Sequence, residues 1–288
     1  MAQSIGSSSS IAKGHNAYVP GYKANHIKNH TWRTAENSAA YLLPKLQEMA
    51  REKPNLQLLD CGAGPGTITT SLAKYMPEGQ VTATDLSEEV IHRAAECAKS
   101  QGVTNMKCHA ANVYNLPFED DSFDIVHTQQ MLCHLDSPLE AIQSMLRVCR
   151  PGGILAIREC DMRMWALYPE VPVLQEFHKL VMATMKANGG SNDMGVRLLS
   201  LAMKAGLPRE RIQASMGTWC YSLREEREVW GGAMRDRIRE GPMRQKCLDQ
   251  NLGWNAEEMD RMADAWEEWI ETEDACFGCM HGEVIITK

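Results

Sequence analysis

Several features that mark large protein classes are missing from this chain of 288 residues. No run of 18 or more apolar residues occurs, which excludes a helical membrane span. The start, MAQSIGSSSS, has neither a secretory hydrophobic stretch nor the arginines of a transit peptide, and Ala2 stands where myristoylation needs glycine. Residues 1–15 are therefore expected to form a flexible tail. Basic residues are in deficit: 30 Lys and Arg against 37 Asp and Glu give a formal charge of −7. A phosphate-neutralising surface needs the opposite balance, so nucleic acid is not an expected partner. Internal repeats and linker-like stretches are absent too, which argues against a solenoid or a string of modules.

What remains is the composition of an ordinary globular chain, 44% hydrophobic and 23% charged, long enough to bury a core without disulfides or a structural metal. The ten cysteines are scattered rather than arranged as a disulfide framework, so reduced thiols and a cytoplasmic location are expected.

Along the chain, Ala35, Ala39, Leu42, Leu43 and Leu46 recur at helical spacing, and Pro44 is expected to kink or divide that helix. Five apolar runs of strand length follow: LQLLD ending at Asp60, VTATD ending at Asp85, MKCHAAN ending at Asn112, FDIVHT and ILAIREC. Helix signals separate them. Ser87 is a predicted N-cap with Glu88 and Glu89 in the first turn, and Ser137, Pro138 and Glu140 supply a predicted capping box for a helix reaching Arg150. Strands alternating with helices imply right-handed βαβ units and an α/β fold, a Rossmann-like doubly wound and mostly parallel sheet. Ligands of such sheets bind beyond the carboxyl ends of the strands. After Cys160 the alternation fails: 162–209 and 224–275 read mainly as helical insertions, RIQASMGTWCYSL as a strand and GEVIITK as a terminal strand. Residues 16–288 are thus expected to form one domain, with a cofactor-binding core at 31–161 and the insertions forming a cap over the active site.

The chemistry concentrates in LLDCGAGPG, where Gly62, Gly64 and Gly66 follow a strand and precede a helix, a setting in which the backbone can approach a ligand closely. Thr67 occupies the place where a dinucleotide fingerprint needs its third glycine or an alanine, and the Gly-Lys pair of a P-loop is absent. Asp85 ends the second strand, where a carboxylate can accept from both ribose hydroxyls of an adenosine-type ligand. Asn112 and the adjacent Val113 can pair with and pack on an adenine, while Asp60 can orient the loop or meet a ligand ammonium group. A nucleoside with an amino-acid tail satisfies all of these.

Taken in order, LLDCGAGPG, TATDLS, NVYNLPFEDDSFDIV and RVCRPGGILAI resemble the class I S-adenosylmethionine-dependent methyltransferases, and within them the UbiE/Coq5-like small-molecule branch of fungal or bacterial type; the resemblance spans Thr31 to Asp161. It implies S-adenosyl-L-methionine as cofactor, with Gly62, Gly64 and Gly66 under its methionine portion, Asp85 and Leu86 at the ribose, Asn112 and Val113 at the adenine, and Gln129 near the sulfonium. Arg33, in HTWRTAENSA, is then the candidate for the cofactor's carboxylate or, alternatively, a solvated helix residue. The family more often has Asp where Asn112 stands. Gln129, Gln130 and Met131 replace the Asn/Asp-Pro-Pro-aromatic run of nucleobase amino-methyltransferases, which favours a small-molecule acceptor methylated by in-line displacement. Two other functions stay open: a catalytically inactive cofactor-binding regulatory protein, and an NAD-dependent oxidoreductase.

His127 and His134 flank the end of the fourth strand and are the nearest candidates for a general base, or else hydrogen-bonded structural residues. Tyr18, Tyr22 and His26 precede the first helix, where they can close over the site or merely pack against it. Trp165, Trp219 and Trp230 either line an acceptor pocket or fill a core. Cys276, Cys279 and His281 form a CxxCxH cluster with no second ligand pair in sight, so no metal is expected. Glu119, Asp120 and Asp121 read as a solvated loop face. Calorimetry with S-adenosylmethionine, S-adenosylhomocysteine and NAD separates the cofactors; Asp85→Ala is expected to abolish binding of the first two with the circular dichroism spectrum unchanged, and unaltered affinity would refute the ribose assignment.

Overall fold

A computed structural model describes His30 and residues 32–288. Tyr18, Tyr22, His26 and the expected tail lie outside the described residues. A short helix α1 (Ala35–Ser38) is followed by α2 (Leu43–Glu52). The segment is divided into two helices rather than kinked, as one of the two expectations had it, and Pro44 sits in the first turn of α2, where its missing N–H has no intrahelical partner to lose. The alternating part then runs β1 (Gln57–Cys61), α3 (Thr67–Lys74), β2 (Gln80–Asp85), α4 (Glu88–Ser100), β3 (Met106–Ala110), β4 (Phe123–Gln129), α5 (Pro138–Val148) and β5 (Cys149–Tyr168). The last part adds α6 (Pro172–Ala187), α7 (Met194–Lys204), β6 (Ile212–Tyr221), α8 (Arg224–Arg239), α9 (Pro242–Asp249), α10 (Ala256–Glu271) and β7 (Cys276–Thr287).

Seven strands form one sheet in the order β3-β2-β1-β4-β5-β7-β6. Neighbours from β3 to β5 are parallel, and β7 is inserted antiparallel between β5 and β6. The expected doubly wound, mostly parallel sheet is therefore the architecture observed. Its central strands are apolar at successive positions because both faces are covered. Leu58, Ile125, Ile154 and Ala156 face one cluster with Leu42, Leu46 and Leu72, whereas Leu59, Val126, Leu155 and Ile157 face another with Ile142, Met145 and Leu198. A third cluster, lying around Trp230, Trp266, Trp269, Phe177 and Phe277, joins α6, α8, α9 and α10 to the outer ends of β5, β6 and β7.

The local signals work where one side chain suffices. The Ser87 hydroxyl accepts from Val90 N, and Gly102, at φ +69°, follows α4. Other expectations need correction. Ser137 precedes α5 but makes no side-chain cap, since its ψ of 66° is not that of a capping residue. The helix stops at Val148, two residues short of Arg150. β3 ends at Ala110, so Asn112 stands beyond the strand, where its Oδ1 accepts from Tyr114 N at 3.0 Å.

Larger departures come from long-range pairing. Residues 162–168, expected to be helical, continue β5 past a bulge and pair with the beginning of β7, Trp165 opposite Cys279. β7 accordingly starts at Cys276, not Gly282, and the CxxCxH cluster lies within it. Helix α7 packs against β5 and β7 as part of the sheet's covering layer, not above the strand ends as part of a cap. The contact is backbone on backbone: a Cβ at Gly195 would lie 2.8 Å from both Glu159 O and Gly282 N, and one at Gly282 would collide with the Gly195 carbonyl. Gly282→Ala is expected to lower stability by about 3 kcal/mol, read from the midpoint of urea unfolding, because the helix must lift off the sheet. An unchanged midpoint would contradict that packing.

Candidate active site

The glycine loop between β1 and α3 is pinned to the end of β2 by its own backbone. Gly62 N and Ala63 N both donate to Thr84 O, at 2.8 and 2.9 Å. Gly64 N donates to Asp85 Oδ2 at 3.1 Å, and Ser87 N to Asp85 Oδ1 at 3.2 Å. Burial raises the Asp85 carboxyl above its ordinary range, opposed by those backbone donors. Two glycines are required for different reasons. Gly66, at φ +78°, lets the loop pass α4, since a Cβ there would come within 2.6 Å of Ala94 Cβ. Gly64, at φ +57°, has nothing within 4 Å of where a Cβ would stand, so its bare backbone faces open space.

That space is a cavity of about 180 Å³ at the carboxyl end of the sheet. Arg33, Asp60, Gly62, Gly64, Asp85, Leu86, Asn112, Val113 and Gln129 all line it, whereas Gly66 does not. Asp60 is already occupied within the protein: Oδ1 lies 2.7 Å from His127 Nδ1, and Oδ2 accepts from Thr69 Oγ1 at 2.5 Å. It thus fixes the loop and the histidine; His127 Nε2 is buried without a hydrogen-bond partner, and the ring lines the cavity. Leu86 is half exposed at the rim.

The chain leaving β4 forms the opposite wall. The Gln129 amide nitrogen donates to Ser38 O (2.6 Å), and its oxygen accepts from Arg158 Nη1 (3.3 Å). Gln130 takes φ +50°, unusual without glycine, and its amide lies 3.1 Å from His281 Nε2 on β7. Next comes a single 3₁₀ turn, Leu132–His134, whose free N–H groups meet the buried Glu159 carboxylate: Met131 N at 2.9 Å, Leu132 N at 2.7 Å and Cys133 N at 3.3 Å. Burial pushes Glu159 up to about 7 against the pull of these donors. His134, at the end of the turn, is pushed down to about 4 by burial and by the guanidinium groups of Arg33 and Arg237.

A second cavity of about 100 Å³ adjoins the first, and His30, Arg33, Gln130 and His134 line both. Its farther walls include Met162, Trp165, Val181, Met185, Trp230 and Met234. Of the three candidate tryptophans, Trp165 and Trp230 reach it. Trp219, on β6, does not; it is buried, donates through Nε1 to Asn37 O at 2.8 Å and carries the Arg33 guanidinium 4.7 Å from its ring centroid.

The cysteine cluster is split by the strand that holds it. Cys276 lies on the opposite face of β7 from Cys279 and His281, 3.6 Å from Cys220 Sγ, while Cys279 lines the second cavity. No group of three or more His, Cys, Asp or Glu among the described residues is arranged to hold a metal ion. Asp120 pairs with Arg147 and Asp121 with Lys288, tying their loop to α5 and the chain end. Sequence reasoning missed His30, Gln130 and Arg237. Position beside Gln129 was a usable signal for Gln130; nothing local marks Arg237, on a helix more than 100 residues from the strand ends it meets.

Residues 52–228 match the family of methyltransferase domains. An uncharacterised methyltransferase of Schizosaccharomyces pombe is 31% identical over 94% of this chain and 96% of its own. The ubiquinone/menaquinone biosynthesis C-methyltransferase UbiE of Shewanella pealeana is 34% identical, but over only 39% of this chain and 45% of its own. Among solved structures, Haemonchus contortus phosphoethanolamine N-methyltransferase 2 in complex with S-adenosyl-L-methionine shares the fold, with a TM-score of 0.52 and 16% identity over 92% of this chain and 57% of that one.

Replacing Glu159 by Ala leaves three N–H groups of the turn without acceptors and is expected to cost about 3 kcal/mol or more of stability in urea unfolding. The native carboxyl titrates above its unfolded value of 4.5, at about 7, so its proton is held more tightly in the folded chain. Its contribution is therefore full below 4.5 and is lost as pH rises through about 7. Glu159→Gln, which keeps one acceptor oxygen and cannot titrate, is expected to flatten that part of the stability–pH curve; an unaltered slope would show that Glu159 is not its source.

Proposed function

The chain belongs to the methyltransferase domain family, with S-adenosylmethionine as its cofactor, and from that premise we propose that it methylates a small, partly apolar metabolite held in the second cavity. The observation that carries this reading is the adjacency of the two cavities across one shared wall. An acceptor seated under Trp165 and Trp230 lies next to the groove bounded by Gly62, Gly64 and Asp85. The open backbone at Gly64 and the uncapped His127 Nε2 suit a ligand whose amino-acid portion rests on the loop. Asp85 is the proposed ribose holder, with Asn112 and Val113 at the adenine; because Asn112 Oδ1 already accepts from Tyr114 N, its Nδ2 is the donor left for a base edge. Arg33, which has no ion pair among the described residues, is the proposed partner of the cofactor's carboxylate.

The cofactor supplies a methyl group already made electrophilic by the sulfonium. What the protein contributes is position and dryness: the second cavity is walled by thioether and indole groups that exclude water and hold an apolar body against the shared wall. His134 faces both cavities and is neutral at physiological pH, so it can accept a proton from a hydroxyl or carbon acid at that wall. His127 is committed to Asp60 and serves position instead. Within the family, the UbiE/Coq5-like branch is the proposed placement, supported by the motifs up to Asp161 and the part-length likeness to UbiE. The unpaired cysteines agree with a reducing compartment such as the cytoplasm. No helix among the described residues is long and apolar enough to cross a membrane.

A labelled-methyl screen against thiols, phenols, quinones and amines, read by mass spectrometry, is expected to reveal an acceptor, and absence of S-adenosylmethionine binding would sink the reading. On a hydroxyl or carbon-acid acceptor, His134→Ala is expected to reduce kcat by about 100-fold. An undiminished kcat would remove His134 as the base.

A further inference from the structure

The two edges of the sheet differ in what they offer another chain. β3, at one edge, is five residues long and carries Lys107 and His109. β6, at the other, runs for ten residues, Ile212–Tyr221, with no charged residue and no proline, the features that ordinarily keep an edge strand from pairing further. On its inner side β7 pairs with it along the whole length. Along residues 213–220, however, no backbone N–H or C=O bonds to any described residue outside β7. Successive backbone groups of a strand point to alternate sides, so about half of those in this stretch are turned away from β7 and left to water. No residue of β6 lines either cavity, so ligand binding does not account for the open edge.

The side chains beside this edge are uncharged on one face of the sheet. Ile212 packs with Leu198, Leu201 and Ala202 of α7, which places the even-numbered positions of β6 on the face that α7 covers. Among them Ala214, Met216 and Thr218 are exposed, Met216 to 64%. The two ends of the strand carry opposite charge. Lys204, Arg209, Glu210 and Arg211 make the entry net basic, and Arg224, Glu225 and Glu226 make the exit net acidic. Arg211 and Glu225 are exposed and form no ion pair among the described residues. An antiparallel partner of the same sequence sets the basic end of each strand beside the acidic end of the other, whereas a parallel one sets like ends together. We propose that β6 is a dimer interface, at which a second copy of this chain adds its own β6 antiparallel across a twofold axis normal to the sheet and joins the two seven-stranded sheets into one. Such an axis keeps the α7 face on the same side in both copies, so Ala214 and Met216 of the two strands lie beside one another and are withdrawn from water.

Sedimentation velocity on the full chain, from about 0.1 to about 50 μM, is expected to show a species of twice the 32.2 kDa chain mass, forming with a Kd of about 1 μM. Hydrogen exchange at residues 213–220 is expected to slow over the same rise in concentration. Met216→Lys, which brings like charges together beside the axis, is expected to raise the Kd about tenfold or more, whereas Leu248→Lys, at an exposed apolar position on α9, is expected to leave it within about twofold. Arg211→Glu is expected to raise the Kd about threefold, and adding Glu225→Arg to the same chain to bring it back. A monomer throughout the range, or a dimer that Met216→Lys leaves unchanged, overturns the proposal. Protection of 213–220 that is already present in the monomer assigns the edge to a segment of the same chain and overturns it as well. A dimer weakened by Arg211→Glu and not recovered by Glu225→Arg overturns the antiparallel arrangement. The dilution series on the native chain decides the matter even if a variant fails to fold.

Discussion

The turn after β4 stays where it is because the carboxylate of Glu159 gathers three of its backbone N–H groups inside the protein. A 3₁₀ turn of three residues has almost no internal hydrogen bonding of its own, so an outside acceptor must complete it. Ionised acceptors make the shorter and stronger bonds, and here that gain is set against the cost of burying the charge. The outcome is a carboxyl group near the balance point between its two protonation states. Gln129, Gln130, Met131, His134 and Leu135 all belong to this segment and all line the first cavity, and Gln130 and His134 line the second one as well. Displacing the turn would therefore alter both cavities at once.

Around this wall the two halves of the chain divide the work by secondary structure. After β2 and β3, polar side chains satisfy backbone groups two residues on, Asp85 accepting from Ser87 N and Asn112 from Tyr114 N. The antiparallel strands β5, β6 and β7 instead run on beyond the sheet's edge, and their outer ends form the floor for α6, α8, α9 and α10. Inter-strand hydrogen bonds lock the register of these outer ends to the rest of the sheet. Arg33 and Arg237 both line the second cavity, together with residues of the turn after β4 and of these outer strands and helices.

Much of the first half could be read directly because its elements are local. The strand–glycine–helix passage at Gly62 to Thr67, the Ser87 cap and the alternation of strands and helices each depend on residues a few positions apart. Asp60, Gly62, Asp85 and Gln129, which line the first cavity, followed from their places at or beside strand ends. Gly66 was grouped with the others but serves contact with Ala94, a distinction that spacing cannot make. Asp60 was left between two roles, and the register that sets it opposite His127 decides for the protein's own hydrogen bonds. Trp165 was expected on a helix, because the bulge after Cys160 breaks the alternation that marks a strand.

By itself the sequence determined the doubly wound sheet, the strand-end placement of the glycine loop and Asp85, and the family those motifs resemble, because backbone propensity, capping and period act over a few residues. Only the tertiary structure decided that residues 162–168 and the CxxCxH segment pair as one long antiparallel ladder, that Cys276 and Cys279 face opposite ways, and that two arginines more than 200 positions apart in the chain share one cavity. Those outcomes depend on which distant surfaces are buried together, and a buried charge acquires its meaning from neighbours that no local pattern names.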